Sequence, residues 1–160
     1  MALIPETSVE EFASALQGSG RLLGLDLGTK TIGLAISDSA WSIASPVRTL
    51  IRNKFTPDVE DLLAYAMAEG VVGVVIGLPL NMDGSEGPRA QATRAFIRNL
   101  SKLTDLPVLF QDERLSTFEA NQAMLAADVS RVKRAQKIDA IAASIILQSA
   151  LDQLRAMRAG

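Results

Sequence analysis

Three carboxylates stand where apolar core residues would be expected. Asp26 closes the run Arg21-Leu22-Leu23-Gly24-Leu25 and is followed by Leu27 and Gly28. Glu113 lies just past the apolar stretch Pro107-Val108-Leu109-Phe110-Gln111. Asp139 sits in a nearly apolar helical segment, and its neighbours at i±3 and i±4, Ala135, Gln136, Ala142 and Ala143, offer no cation for a pair within the helix. Desolvating a carboxylate costs several kcal/mol unless something compensates it. Three acids on separate buried elements point to a divalent-cation site of the kind that hydrolyses phosphodiesters. There, one of two carboxylate-bridged cations lowers the pKa of a water and the other stabilises the leaving oxygen. Without metal, clustered acids repel, so such a site would be partly protonated or loosely ordered.

Each acid also has a structural reading. Asp26 can order the turn Asp26-Leu27-Gly28-Thr29. Glu113 can belong to a surface cluster with Asp112 and Arg114. Asp139 can stabilise a helix N-terminus through the helix dipole. If strand geometry continues to Glu113, its side chain shares a face with Leu109 and Gln111, opposite Asp112.

Composition narrows the chemistry. The chain has neither Cys nor His. Disulfides, thiol nucleophiles, imidazole bases and zinc held by sulfur or imidazole are therefore excluded. A metal must be held by oxygen, which favours Mg²⁺ or Mn²⁺. The net charge of −2 means that any nucleic-acid contact comes from a local basic patch. No apolar run is long enough to span a membrane and no signal peptide is evident, so a cytoplasmic location is expected. With 160 residues, 48% of them hydrophobic, one ordinary domain with a Leu/Ile/Val/Ala core is expected.

The elements that must position the acids follow from the pattern. Residues 1–20 read as an N-terminal helical extension and linker. Ser8 and Glu11 have capping-box spacing, Val9, Phe12, Ala13 and Leu16 follow a helical period, and Gly18-Ser19-Gly20 breaks it. The main domain, 21–157, opens with two strands, 21–27 and 31–37, around the turn Gly28-Thr29-Lys30. A third strand is expected over 46–51 and a helix over 57–69. Residues 71–76 form a β-branched run typical of a strand buried on both faces. A Gly- and Pro-containing loop, 77–87, leads to a helix that starts at Pro88 and runs to about Leu103. A strand over 107–111, a capped helix over 116–127, a basic stretch from Asp128 to Lys137 and a last helix from about Ala135 to Met157 complete the chain. This order predicts an α/β domain with a mixed sheet, with sites at the carboxyl ends of its strands.

Several residues could hold a phosphate backbone. Lys30 lies in the turn beside Asp26. The loop containing Asn81 and Ser85 feeds a helix N-terminus, where free N–H groups suit phosphate, and Arg89 adds a forked donor in the first turn. Arg114, beside Glu113, is a further candidate. Arg131, Lys133, Arg134 and Lys137 form the densest basic run, which could grip a phosphate backbone and give steep salt dependence; the alternative is a solvated, mobile loop. With one Trp and one Tyr, recognition by shape and backbone is expected rather than base stacking. Trp41, in a loop, reads as a hydrophobic anchor.

Four motifs resemble those of the RuvX/YqgF family. They are Gly24-Leu25-Asp26-Leu27-Gly28-Thr29-Lys30 with Gly33-Leu34-Ala35, then Gly77-Leu78-Pro79-Leu80-Asn81-Met82-Asp83-Gly84-Ser85-Glu86-Gly87. Asp112-Glu113-Arg114-Leu115-Ser116-Thr117 follows, and then Lys137-Ile138-Asp139-Ala140-Ile141-Ala142-Ala143 with Ile146-Leu147-Gln148. Their order and span, from 21 to about 154, make the likeness far more specific than Asp-x-Gly alone. It implies an RNase H-like fold, in which a mixed central sheet opens with a β-hairpin and carries helices on both faces. It also implies a metal-dependent nuclease with Asp26, Glu113 and Asp139 as catalytic acids. Members are described as processors of the 5′ end of the pre-16S rRNA and as homologues of Holliday-junction resolvases. The implied partners are structured RNA or branched DNA, and a ribosome precursor. Thr31 departs from the pattern, standing where the family often has Arg.

Two other classes compete. The Asp-Leu-Gly-Thr-Lys string resembles the phosphate hairpin of the actin and sugar-kinase superfamily, but those proteins need two such lobes and this chain has room for one. A non-catalytic RNA- or ribosome-binding factor would keep the fold and lose the chemistry.

Overall fold

The computed structural model describes residues 8–16, 19–113 and 131–159, with backbone alone at 131–137 and 159. Five strands form one sheet: β1 (Arg21–Leu27), β2 (Thr31–Ser37), β3 (Ala44–Ile51), β4 (Val71–Leu78) and β5 (Val108–Asp112), in the order β3-β2-β1-β4-β5. The first three run as an antiparallel meander, while β4 and β5 lie parallel to β1. The helices are α1 (Val9–Leu16), α2 (Phe55–Glu69), α3 (Pro88–Leu100) and α4 (Arg131–Ala159). The mixed sheet, its opening hairpin and the helices on both faces match the expectation. The helix expected over 116–127, and Arg114, lie outside the described residues.

Alternation along β1 sorts the two layers. Leu23, Leu25 and Leu27 join Val59, Leu62 and Ala66 of α2 and Phe96, Ile97 and Leu100 of α3 in one core. Leu22 turns the other way, into a second core with Phe12 and Leu16 of α1 and with Ala143, Ile146, Leu147, Ala150, Leu151 and Leu154 of α4. Gly24 and Asp26 share the Leu22 face by the same two-residue period. Helix α1 is thus part of the α4-side layer. Phe12 is fully buried, and both Phe12 and Leu16 press on the space left by Gly73 in β4. Trp41 anchors this layer as expected: it is buried, its Nε1 donates to the Gly20 carbonyl at 2.8 Å, and the Arg158 guanidinium lies 4.5 Å from the ring centre.

One expectation is corrected. The basic stretch expected to precede the last helix is helical from Arg131, so α4 begins before Ala135. The reason is local: Arg, Lys, Gln and Ala are all good helix formers, and no Gly or Pro interrupts them. As a result Asp139 lies about two turns inside α4, beyond the reach of N-terminal dipole stabilisation. No helix among the described residues is long and apolar enough to cross a membrane.

Two glycines let α4 settle directly on the sheet. A Cβ at Gly24 would stand 2.8 Å from the Leu147 Cβ, and one at Gly33 would overlap the Asp139 carbonyl. Gly33→Ala should therefore push the start of α4 off β2. Overpacking of this kind costs roughly 1–3 kcal/mol. A fall of roughly 5 °C in Tm on calorimetry is the expected outcome, with Ala35→Gly, a cavity-type change on the same strand, as the comparison.

Candidate active site

The site forms where the carboxyl ends of β1, β4 and β5 meet the N-terminal half of α4. Asp26 lies one residue before the end of β1 and pairs across the hairpin with Gly33. Glu113 follows β5 directly, and its N–H donates to the Leu78 carbonyl at 3.3 Å, so the chain stays in strand register through the acid. The face assignment is visible in its neighbours. Leu109 is in the α4-side core and Gln111 Nε2 donates to Ser149 Oγ of α4 at 3.0 Å. Gly77 on β4 makes room for the acid, since a Cβ there would overlap Glu113 Oε2 and crowd Ile146 Cδ1.

Asp26 and Glu113 share a hydrogen bond between their carboxyl groups. Two carboxylates in contact and half-buried repel as anions, which favours a proton on one of them. Glu113 is pushed up to about 9, first by burial, then by the negative charge and hydrogen bond of Asp26. Arg89 opposes this, and Asp112 adds a smaller push upward. The Asp26 carboxyl is raised as well. Burial is the main cause and the Asp139 charge adds to it, against the bond from Glu113 and the Arg89 charge.

Asp139 completes the group from α4. Its Oδ2 accepts a hydrogen bond from Thr31 Oγ1, at the start of β2, and its charge is felt at Asp26. The three acids are therefore neighbours, but the contact is between Asp26 and Glu113, while Asp139 is held against Thr31. Among the described residues, no three acidic side chains close into a ready-made metal cage.

Among the described residues expected to bind nucleic acid, Arg89 comes furthest into the site. Its Nη2 donates to the Leu27 carbonyl at 3.0 Å, which brings its charge beside Asp26 and Glu113. Lys30 is exposed in the hairpin turn. Asn81 and Ser85 are exposed in the loop at the same sheet edge, but they serve that loop's own structure. Asn81 Nδ2 donates to Ser85 Oγ at 3.0 Å, and Asp83 Oδ1 accepts from the Ser85 N–H at 2.9 Å and from its hydroxyl at 2.6 Å. Ser85 does not cap α3; Gly87 stands at the cap position with no side-chain bond. Glu86 pins the loop to α3 by a forked pair with Arg94, at 2.7 and 2.9 Å. Arg131, Lys133, Arg134 and Lys137 lie in the stretch described by backbone alone.

Two residues of the site are not apparent from motif reading. Thr31 figures in the sequence only as a departure from a basic residue. Arg52 belongs to no motif, yet its Nη1 donates to the Gly28 carbonyl at 2.5 Å, its N–H donates to the Lys30 carbonyl at 2.9 Å, and its guanidinium lies 5.9 Å from the Phe96 ring centre. Arg52 and Arg89 thus tie down two consecutive carbonyls at the end of β1. A fork-shaped donor in the segment just after a hairpin's third strand is a weak signal, and only the pairing of β3 with β2 makes it meaningful.

Known proteins resemble the chain in sequence and in fold. A relative from Rhodobacter capsulatus, named "Putative pre-16S rRNA nuclease", is 58% identical over 146 residues, covering 91% of this chain and 92% of its own. A relative of the same name from Chelativorans sp. is 58% identical over 152 residues, covering 95% of each chain. In fold, the chain is similar to the RuvC of T. thermophilus solved with a Holliday-junction substrate. That likeness has a TM-score of 0.55 at 11% identity, over 85% of this chain and 96% of the other. The family model described as "RuvX: Holliday junction resolvase" matches residues 20–153, which include Asp26, Glu113 and Asp139, and the chain belongs to that RuvX family.

Proposed function

We propose that the protein is a divalent-cation-dependent endonuclease that hydrolyses phosphodiester bonds of structured nucleic acid, and that its substrate is the 5′ end of pre-16S rRNA in a ribosome precursor. The observation that carries this reading is the half-buried Asp26–Glu113 contact, with Asp139 alongside and Arg89 behind it. Such a pair is costly as anions and serves little purpose as a protonated dyad, whereas a cation would replace the proton and reward both charges. The donor set suits Mg²⁺ or Mn²⁺, because only oxygen ligands are on offer and the chain has no His or Cys. Asp26, Glu113 and Asp139 are the residues that would hold the ion. When bound there, the cation supplies an activated water and neutralises charge on the scissile phosphate.

The protein's own groups do the rest. Arg89 and Arg52 fix the end of β1, so Asp26 is presented from a backbone that cannot drift. Lys30 meets the phosphate chain from the exposed turn, beside the acids. The basic residues Arg114, Arg131, Lys133, Arg134 and Lys137 supply further positive charge for the substrate backbone. Recognition of this kind reads shape and phosphate rather than base edges. Nothing in it calls for a membrane.

A second reading is favoured by the family description and by the RuvC-like fold: the same hydrolysis on four-way DNA. Carboxylates that act on phosphate do not distinguish ribose from deoxyribose. Purified protein incubated with Mn²⁺ and either a pre-16S 5′ fragment or a synthetic four-way junction separates the two. Cleavage of the RNA is expected, and cleavage confined to the DNA junction would overturn the RNA assignment. RNA affinity should fall steeply between 50 and 200 mM salt if the basic track is used, on the order of 10³-fold for about six phosphate contacts.

A further inference from the structure

The Thr31 hydroxyl bonds directly to one of the three acids, Asp139, and no motif assigns it a task. Its place is tightly determined. As the first residue of β2, it pairs with Ile51 of β3. Its carbonyl accepts from the Gly28 N–H at 2.8 Å. Two residues on, the Gly33 backbone lies directly against the Asp139 carbonyl. The strand and the helix are thus locked together where the hydroxyl meets the acid. A β-branched side chain in a strand has restricted χ1, so the position of the hydroxyl is set by the backbone. The bond uses Oδ2, one of the two oxygens of the Asp139 carboxylate. An ionised carboxylate has enough lone pairs to accept one hydrogen bond and bind a cation at once.

We infer that Thr31 is a positioning residue for the cation site, its hydroxyl holding Asp139 in the orientation from which that carboxylate joins Asp26 and Glu113 in binding a divalent ion. This inference rests on the cation-dependent reading of the site. Hydrogen bonds to ligating groups from residues that do not themselves touch the metal are worth about 10- to 100-fold in affinity. Thr31 acts through Asp139 and touches neither ion nor substrate.

The test is calorimetric titration of Mn²⁺ into the full chain, comparing wild type with Thr31→Val, Thr31→Ala, Thr31→Ser and Asp139→Asn. Val and Ala should weaken Mn²⁺ binding by about 10- to 100-fold, and Ser, which keeps the donor, should stay within about 3-fold of wild type. The Tm of the chelator-treated Val variant should remain within a few degrees of wild type, because Val suits a strand. In cleavage assays, kcat at saturating Mn²⁺ should recover in the Val variant while the Mn²⁺ requirement rises. If Asp139→Asn weakens binding but Val and Ala bind as wild type does, the role of Thr31 is overturned and the cation site stands. Equal weakening by Ser, Val and Ala, or tighter binding by Val, overturns it as well. If wild type takes up no Mn²⁺, or Asp139→Asn and Asp26→Asn leave uptake unchanged, the cation reading itself fails, and this inference with it.

Discussion

Asp26→Asn is expected to lower nuclease activity by on the order of 10³-fold or more while leaving RNA binding intact. The substitution is isosteric and still offers an oxygen to Glu113, so the fold and the hydrogen bond can survive. What it removes is the negative charge at the end of β1, next to the Arg89 guanidinium. Substrate affinity should be unchanged or slightly higher, since one fewer anion faces the phosphate backbone. The same variant carries an internal control. The Asp26 charge is the second cause of the elevation at Glu113, after burial, so Glu113 should titrate lower in Asp26→Asn than in wild type. Cleavage rates at saturating Mn²⁺, RNA binding by filter or anisotropy assay, and the Glu113 carboxyl resonance by NMR read these three effects separately. Equal cleavage by wild type and variant would mean that the activity belongs to a contaminant, and would favour a non-catalytic RNA-binding factor.

Metal-free protein should lose stability as pH rises from about 4.5 to about 9, and Glu113→Gln should abolish most of that loss. Glu113 titrates near 4.5 in an unfolded chain and about 9 in the folded one. Between those values the folded state keeps a proton that the unfolded chain has released, so stability is complete below the lower value and drains away toward the upper one. Asp26, also raised, acts in the same direction. Each unit of displacement is worth about 1.4 kcal/mol. Partial access to water reduces this, and a loss of about 2–3 kcal/mol, or roughly 5–10 °C in Tm, is expected between pH 5 and 9. In Glu113→Gln the side chain is neutral at every pH, so its curve should keep only the shallower slope due to Asp26 and should lie above wild type at pH 8.5. Mn²⁺ should reverse the pattern. Its binding displaces the proton, so the Tm gain on adding metal should grow with pH in wild type and shrink in the variant. Differential scanning calorimetry in chelator and in Mn²⁺, from pH 5 to 9, measures all four curves. Parallel curves for wild type and variant would show that Glu113 does not carry the proton.

The two experiments address one physical arrangement from opposite sides. A half-buried carboxyl pair lowers stability as pH rises, a cost expected of groups poised to bind a cation. The glycines at 24, 33 and 77 belong to the same arrangement. Each removes a Cβ where α4 or Glu113 must approach the sheet. They draw the acids together without any direct part in the chemistry.

Much of this was legible in the residues. Alternation along 21–27 put Asp26 on the face of Leu22 and Gly24, and continuation of strand geometry past Gln111 put Glu113 with Leu109. The hairpin, the central strand over 71–76 and the helix begun by Pro88 followed from period and punctuation, because these signals are local; the structure carries that strand on to Leu78. The absence of His and Cys limited the ligands to oxygen before any fold was considered. Other features depend on contacts between distant segments, and no local pattern carries them. Helix α1 looked like an extension until Phe12 and Leu16 were seen filling the gap at Gly73. Residues 131–134 were expected to precede the last helix, because basic residues are as common in loops as in exposed helices. Arg52 reaches Gly28, and Thr31 reaches Asp139, across 24 and 108 residues of sequence. Residue type and period determine which side chains can do chemistry and which face each takes. Only the sheet order and the close approach of α4 decide that Asp26 and Glu113 share a proton and that a strand hydroxyl holds the third acid.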